Sequence, residues 1–263
     1  MITVQLKGGL GNQLYQIAAI YAHAKEYNVK FVINYSLEFG AMQGHHPKTY
    51  KKSLYKNLET INLPFHIACR EPSFKYKKLP FLGIEHDVVY DGYFQSWKYF
   101  KNLDRDELNN VFPFSVDCIT KTKEAIRKLK EKYQATEVVG VHIRRGDYYK
   151  NPEIFPIVGS EYYNKAKENF DKDALFLYCT DDETQVRKEF KFDTKNVLAN
   201  GSDELMDMCV LSECDSVIMG NSSFSSWGAY LGKEKKLVTC PKKWFGPKGP
   251  PDGDMVDPKW LKI

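Results

Sequence analysis

No apolar run in this chain approaches the ~20 residues needed to cross a bilayer. The opening MITVQLKGG has no apolar h-region, so no secretory leader is read there. The six cysteines, at 69, 118, 179, 209, 214 and 240, form no CxxC pair, and several sit in apolar runs such as LFLYC. They read as reduced core thiols of a cytosolic protein, not as a disulfide framework. Cys209 and Cys214 are close enough to share a helix, but no third or fourth ligand accompanies them, which argues against a metal site. There is no GK[ST] P-loop, which counts against a P-loop kinase, and no internal repeat. A large charge excess is also missing: 38 basic against 34 acidic residues leave +4, which calls for no nucleic-acid partner.

What is present is an ordinary globular composition over 263 residues, 43% hydrophobic and 27% charged. The chain opens as a βαβ unit: a strand at 2–6, the turn KGGLGN, an amphipathic helix over QLYQIAAIYAHAKEY, and a strand at 29–33. Residues 34–86 show no long period and read as loops and short helices, a place for acceptor contacts. A short strand and an aromatic cluster follow in DVVYDGYFQSWKYF (87–100). From about 120 the βα rhythm returns. A helix over KTKEAIRKLKEKY leads to a buried strand at 137–143, and a helix capped by Ser160 leads to a strand at 174–179. Further on come a helix capped by Ser202 or Asp203, a strand at 216–219, and a last strand at 236–240 ended by Pro241. The tail, 241–263, reads as an irregular strap. This pattern predicts an α/β fold of two Rossmann-like halves, 1–118 and 119–263, with a ligand cleft between them.

Three loops leave the C-terminal ends of predicted strands. GGLGNQ (8–13) has the close glycines of a tight turn, which also expose N–H groups to a phosphate or sugar hydroxyl. HIRRGDY (142–148) runs a buried strand into two arginines and an aspartate. Arginine offers a rigid fork of donors for phosphate oxygens, and Asp147 can orient an arginine or accept a proton from an alcohol. His142 lies within the strand pattern, where a hydrogen-bonded core histidine competes with a ligand or base. GNSSF (220–224) precedes a helix start, suited either to plain capping or to an anion cradle. The related YCTDDE (178–183) offers Thr180 or Asp181 as a cap, or a carboxylate for a ribose or base.

Taken in order, GGLGNQLYQ, GYFQSWKYF, HIRRGDY, TDD (180–182), NSSFSSWGA and VTCPKKWF resemble the bacterial α-1,2-fucosyltransferase family, glycosyltransferase family 11, over most of the chain. The resemblance implies a GT-B-like fold, GDP-L-fucose as donor, no required metal or other cofactor, and inversion at the anomeric carbon. It implies that Arg144 grips the donor phosphate, with His142 and Asp147 shaping the same site. Gly9, Asn12 and Gln13 then border the donor from the N-terminal half. Arg145, Thr180, Asp181, Asp182, Asn221, Ser222, Ser223 and Phe224 border it from the C-terminal half. Two departures stand out: Thr180 replaces a common serine, and Ser226-Trp227 stands where members commonly carry two tryptophans.

Asp147 is the first candidate for the base and Glu153 the second. The partners implied are a nucleotide sugar and a galactoside-containing glycan, free or lipid-linked. The Lys-rich stretches KTYKKSLYK and KYKK leave open a peripheral contact at the inner face of a membrane, against the plainer reading of solvated faces. The absence of the N-terminal anchor that animal members carry fits a bacterial or viral enzyme. Rival readings are transfer from another nucleotide sugar, or a non-catalytic glycan- or nucleotide-binding module.

Overall fold

The computed structural model describes residues 1–37, 44–63, 67–82, 87–199, 203–251 and 253–263. The chain forms two compact units, Met1–Pro113 with Gly253–Asp257, and Phe114–Asp252 with Pro258–Ile263.

The first unit contains β1 (Ile2–Val4), α1 (Leu10–Glu26), β2 (Ile33–Asn34), β3 (Thr60–Ile61), β4 (Ile67–Arg70), β5 (Val88–Asp91) and α2 (Arg105–Val111). Its strands pair in parallel as β1-β5-β4 and β2-β3, and a bridge from Ile2 to Phe31 brings β2's segment beside β1. The expected strand at 29–33 is thus paired mainly at its end, and the region read as loops supplies β3 and β4. The turn before α1 is shorter than the glycine pattern suggests. The helix already begins at Leu10, so Asn12 and Gln13 occupy its first turn. Gly8 takes a φ of 76°, and a Cβ there would overlap the Asn12 amide, so glycine is required on both counts.

The second unit contains α3 (Val116–Tyr133), β6 (Val138–Ile143), α4 (Ser160–Lys167), β7 (Leu175–Thr180), α5 (Glu183–Glu189), β8 (Asn196–Leu198), α6 (Glu204–Glu213), β9 (Ser216–Ile218), α7 (Ser223–Tyr230), β10 (Val238–Cys240) and β11 (Leu261–Lys262). All six strands are parallel, in the order β8-β7-β6-β9-β10-β11. The chain starts in the middle at β6, builds outward through β7 and β8, then returns past β6 to β9. That reversal creates a switch point between β6 and β9, where open α/β sheets bind ligands beyond the strand C-termini.

β6 is buried along its whole length, as a central parallel strand must be. Val139, Val141 and Ile143 pack with Tyr163, Val186 and Phe190 on one face. Val138 joins Ile126, Leu175 and Cys214 on the other. The two-residue period puts Gly140 and His142 on Val138's face. There the missing side chain of Gly140 lets Leu211 and Cys214 of α6 close onto the strand.

Local signals were partly misassigned. Gly159, not Ser160, is the N-cap of α4, and Ser160 is its first helical residue. Asp203 caps α6 by accepting the Met206 N–H at 2.8 Å, while Ser202 lies outside the described residues. Asp182, rather than Thr180 or Asp181, caps α5. The tail also contributes β11, so β10 is not the last strand. All six cysteines are free thiols, and all but Cys118 are buried.

Gly228 sets the spacing of α6 and α7, because a Cβ there would lie 2.6 Å from the Leu211 Cβ. Gly228→Ala therefore overpacks the seam and is expected to cost about 1–3 kcal/mol. Thermal unfolding checks this, and an unchanged melting temperature would show that the two helices can part freely.

Candidate functional site

Three strand ends meet at the switch point. β6 delivers His142 and, just past its end, Arg144 and Arg145. β7 delivers Thr180 and Asp181, and β9 leads through Gly220 into Asn221 and Ser222. The two arginines have opposite fates. Arg145 is fully buried, and its guanidinium donates to Glu189 on α5 at 3.0 Å, to the Arg144 carbonyl at 2.9 Å and to the Val158 carbonyl at 3.0 Å. Arg144 stays a quarter exposed, with one nitrogen 2.5 Å from Asp147 and another 3.2 Å from Asp181. Burial opposes its charge, yet Asp181 and Asp147 outweigh that and hold the guanidinium protonated, above its ordinary value. Its planar face lies 5.6 Å from the centre of the Tyr148 ring.

Asp181 ties the loop together. One carboxylate oxygen accepts the Arg145 backbone N–H at 2.8 Å while the other faces Arg144. Gly146 lies so close that a Cβ there would overlap this carboxylate. Tyr148 stacks on Phe155 with centroids 4.9 Å apart and donates its hydroxyl to the Asn221 carbonyl at 2.8 Å, linking the arginine loop to β9's loop. Asn221 is buried and donates to the carbonyls of Pro156 and Trp244. Ser222 is the N-cap of α7, accepting the Phe224 N–H at 3.3 Å, and Ser223 is the first helical residue. Thr180 accepts the Asp182 N–H at 3.2 Å, so its hydroxyl supports the cap of α5. Glu153 stands apart on the surface, 62% exposed and 2.6 Å from Lys248.

His142 is buried and stacks on Phe224 at 5.1 Å. Burial first, and Arg144 second, push its pKa down to about 3, so the ring is neutral at physiological pH. Its Nδ1 has no hydrogen-bond partner among the described residues. Asp207 carries no mark in the sequence. Cys179 is His142's register partner on β7, and its thiol lies 3.9 Å from the Asp207 carbonyl. Asp207 therefore lies on the α6 side of the sheet that His142 also faces. Its Oδ1 is buried without a partner among the described residues, and burial, then Asp203, push its carboxyl up to about 6. In the sequence Asp207 looks like one more acidic residue in a helix's first turn, so no local signal marks it. Glu189 was missed for the same reason: it is 44 residues from the arginine it neutralises.

In the first unit, Gly9 is the N-cap of α1, with no side-chain cap and no acidic residue in the first turn. The side-chain oxygen of Asn12 accepts from the Gln95 amide at 2.5 Å. Gln13 is buried, donating to the carbonyls of Gly8 and His45 and accepting from the Tyr55 hydroxyl at 3.0 Å. No group of three or more His, Cys, Asp or Glu placed to hold a metal occurs among the described residues. No described helix is long and apolar enough to cross a membrane.

A parallel sheet with a mid-sheet switch point, in a chain with a second parallel-sheet unit, is the architecture of GT-B-like glycosyltransferases. NodZ α-1,6-fucosyltransferase, co-crystallized with GDP, shares this fold with a TM-score of 0.52 at 13% identity, over 88% of this chain and 92% of that one. The chain belongs to glycosyl transferase family 11, whose model matches residues 1–262. An α-1,2-colitosyltransferase of Escherichia coli is 29% identical, with 100% of this chain and 99% of the relative covered. The O-antigen biosynthesis glycosyltransferase WbnK of Escherichia coli is 25% identical, with 98% and 99% covered. The galactoside 2-α-L-fucosyltransferase Sec1 of Mus musculus is also 25% identical, with 88% and 64% covered.

The contrast between the arginines is testable. Removing Arg145 takes the cation from Glu189, which keeps only Tyr149 and Gln185, and leaves two carbonyls without their donor, so Arg145→Ala is expected to lose about 3 kcal/mol of stability. Arg144→Ala is expected to change stability by under about 1 kcal/mol, since its pairs are partly solvated. Urea unfolding of both variants checks this, and equal losses would remove the distinction.

Proposed function

We propose that this chain transfers L-fucose from GDP-L-fucose to a hydroxyl of a galactoside-containing glycan, with inversion and an α-1,2 linkage. The observation that carries the reading is Arg144: a charged guanidinium held at the switch point by two carboxylates, partly open to solvent, beside the capped start of α7. When the bond between the sugar and the diphosphate lengthens, negative charge gathers on the departing phosphate. A fixed cation and helix-start N–H groups stabilise that charge without reorganising. Ser222 and Ser223 supply the helix start and Arg144 the cation. Arg145, with its donors committed elsewhere, serves to position this loop and does not meet the donor. Asp147 keeps Arg144 in place and is the first candidate to take the acceptor proton. Glu153, exposed and paired with Lys248, is the weaker one. The neutral imidazole of His142 is a poor base and serves instead to hydrogen-bond the donor.

The donor sugar is the open arm of this reading, because the 29% identical relative is named a colitosyltransferase. Mass spectrometry of products from GDP-L-fucose and GDP-colitose with galactoside acceptors decides it. The expected product is heavier by one deoxyhexose, made from GDP-L-fucose, and lowered at least ~100-fold in Arg144→Ala. Transfer only from the colitose donor overturns the sugar assignment. Undiminished transfer by Arg144→Ala overturns the role of the arginine.

The Asp207 Oδ1 and the His142 Nδ1 are desolvated and without partners among the described residues on one face of the sheet, and a ligand can supply both bonds. We assign Asp207 to the nucleobase. An ionised carboxylate accepts both the ring N–H and the exocyclic amino group of guanine, a pair that adenine does not offer. The carboxyl titrates near 6, so its acceptor form is complete above that value and is lost as pH falls through it. GDP affinity measured by calorimetry is expected to fall below pH 6 and to lose that dependence in Asp207→Asn. A wild-type affinity that is flat from pH 5 to 8 would refute the assignment.

A further inference from the structure

A separate cavity of about 390 Å³ opens in the first unit, beside the second half of α1. It gathers two lysine-bearing segments that the transfer chemistry leaves unused, KYKK (75–78) and WKYFK (97–101). Lys78, Lys98 and Lys101 line it, with Tyr76 and Tyr99 packed edge to face at 4.9 Å. Glu26 is its one lining carboxylate among the described residues, 3.6 Å from Lys78 in a pair exposed on both sides. Such a pair is worth little and yields readily to another anion. Lys98 is held 2.7 Å from Asp254, whereas Lys101 has no carboxylate partner among the described residues. His23 adds no charge to the wall: burial lowers its pKa, and its Nε2 lies 3.0 Å from the Tyr90 hydroxyl. Tyr90 donates that hydroxyl's proton to the Pro80 carbonyl, so the histidine is the donor in the pair. The balance is a cavity with cationic arms, two aromatic rings and the Asn102 amide.

We infer that this cavity is a binding subsite for an anionic sugar unit, one bearing a carboxylate or a phosphate. Lys101 and Lys78 meet the anion by charge-assisted hydrogen bonds, the tyrosine rings pack on the apolar face of a pyranose, and Asn102 meets a hydroxyl. His23 lies eleven residues beyond Asn12 on α1, about 16 Å along the helix axis. As part of an acceptor glycan, the anionic unit is one other than the galactoside that reacts. That role rests on the glycan-acceptor reading above, whereas the binding itself does not.

The test is an NMR titration of the isotope-labelled full chain, without donor, using galacturonic acid, galactose 6-phosphate and galactose. At least one anion is expected to shift the backbone signals of residues 76–79 and 98–102 and to bind about tenfold tighter than galactose. The double variant Lys78→Ala/Lys101→Ala is expected to erase that preference while leaving the fold's other signals in place. Which anion responds identifies the charged group. Equal binding of galactose, shifts confined to other regions, or an unchanged preference in the double variant each overturn the subsite. Because no turnover is measured, a failure of fucosyl transfer leaves this result standing, and the reverse also holds.

Discussion

The carboxylate of Asp181 is the point on which the arginine loop depends. The central strand β6 is buried on both faces and ends in two adjacent cations, which a sheet interior cannot accept unpaired. Asp181, from the neighbouring strand, fixes the backbone of one arginine and the side chain of the other. Gly146 exists as glycine because that carboxylate occupies the space of a side chain. With the backbone fixed there, Arg145 turns inward to Glu189 and Arg144 turns outward. One short clamp thus separates an arginine that holds the structure from one that is open to a ligand.

The same logic runs through the rest of the site. Tyr148 is held on both sides, by Phe155 stacking and by the Asn221 carbonyl, and burial pushes its phenol pKa up. It therefore acts as a neutral strut between the loops of β6 and β9. His142 and Asp207 are the exceptions to this internal satisfaction. A folded protein pairs nearly all its buried polar atoms, so two on one face of the sheet that lack partners among the described residues mark a place where a ligand can bond.

Much of the architecture was legible in the chain. The apolar run at 137–143, the strand at 174–179 and a helix following the GNSSF loop follow from periodicity and turn residues, although that helix starts two residues earlier than expected, at Ser223. The meeting of HIRRGDY, TDD and NSSF also followed from their position after predicted strands, because a parallel sheet brings such loops to one edge. The shorter pieces did not show. β3, β8 and β11 have two or three residues each, too few for a period to register, and they exist through pairing with distant neighbours. Two helix caps fall on a neighbour of the expected residue, Gly159 for Ser160 and Asp182 for Thr180 or Asp181, since backbone angles as well as residue type decide among them.

The sequence by itself determined the α/β class, the longer helices and strands, and the family, because these rest on local periodicity and on motifs in a fixed order. It could not separate Arg144 from Arg145, which are adjacent and chemically identical. Only the tertiary structure did, by placing Glu189 beside one and leaving solvent beside the other. Nor could it single out Asp207 or the lysine-lined cavity, whose members come from segments far apart in the chain. Burial and pairing are properties of neighbours in space, and those neighbours are set by the sheet order and not by the spacing along the chain.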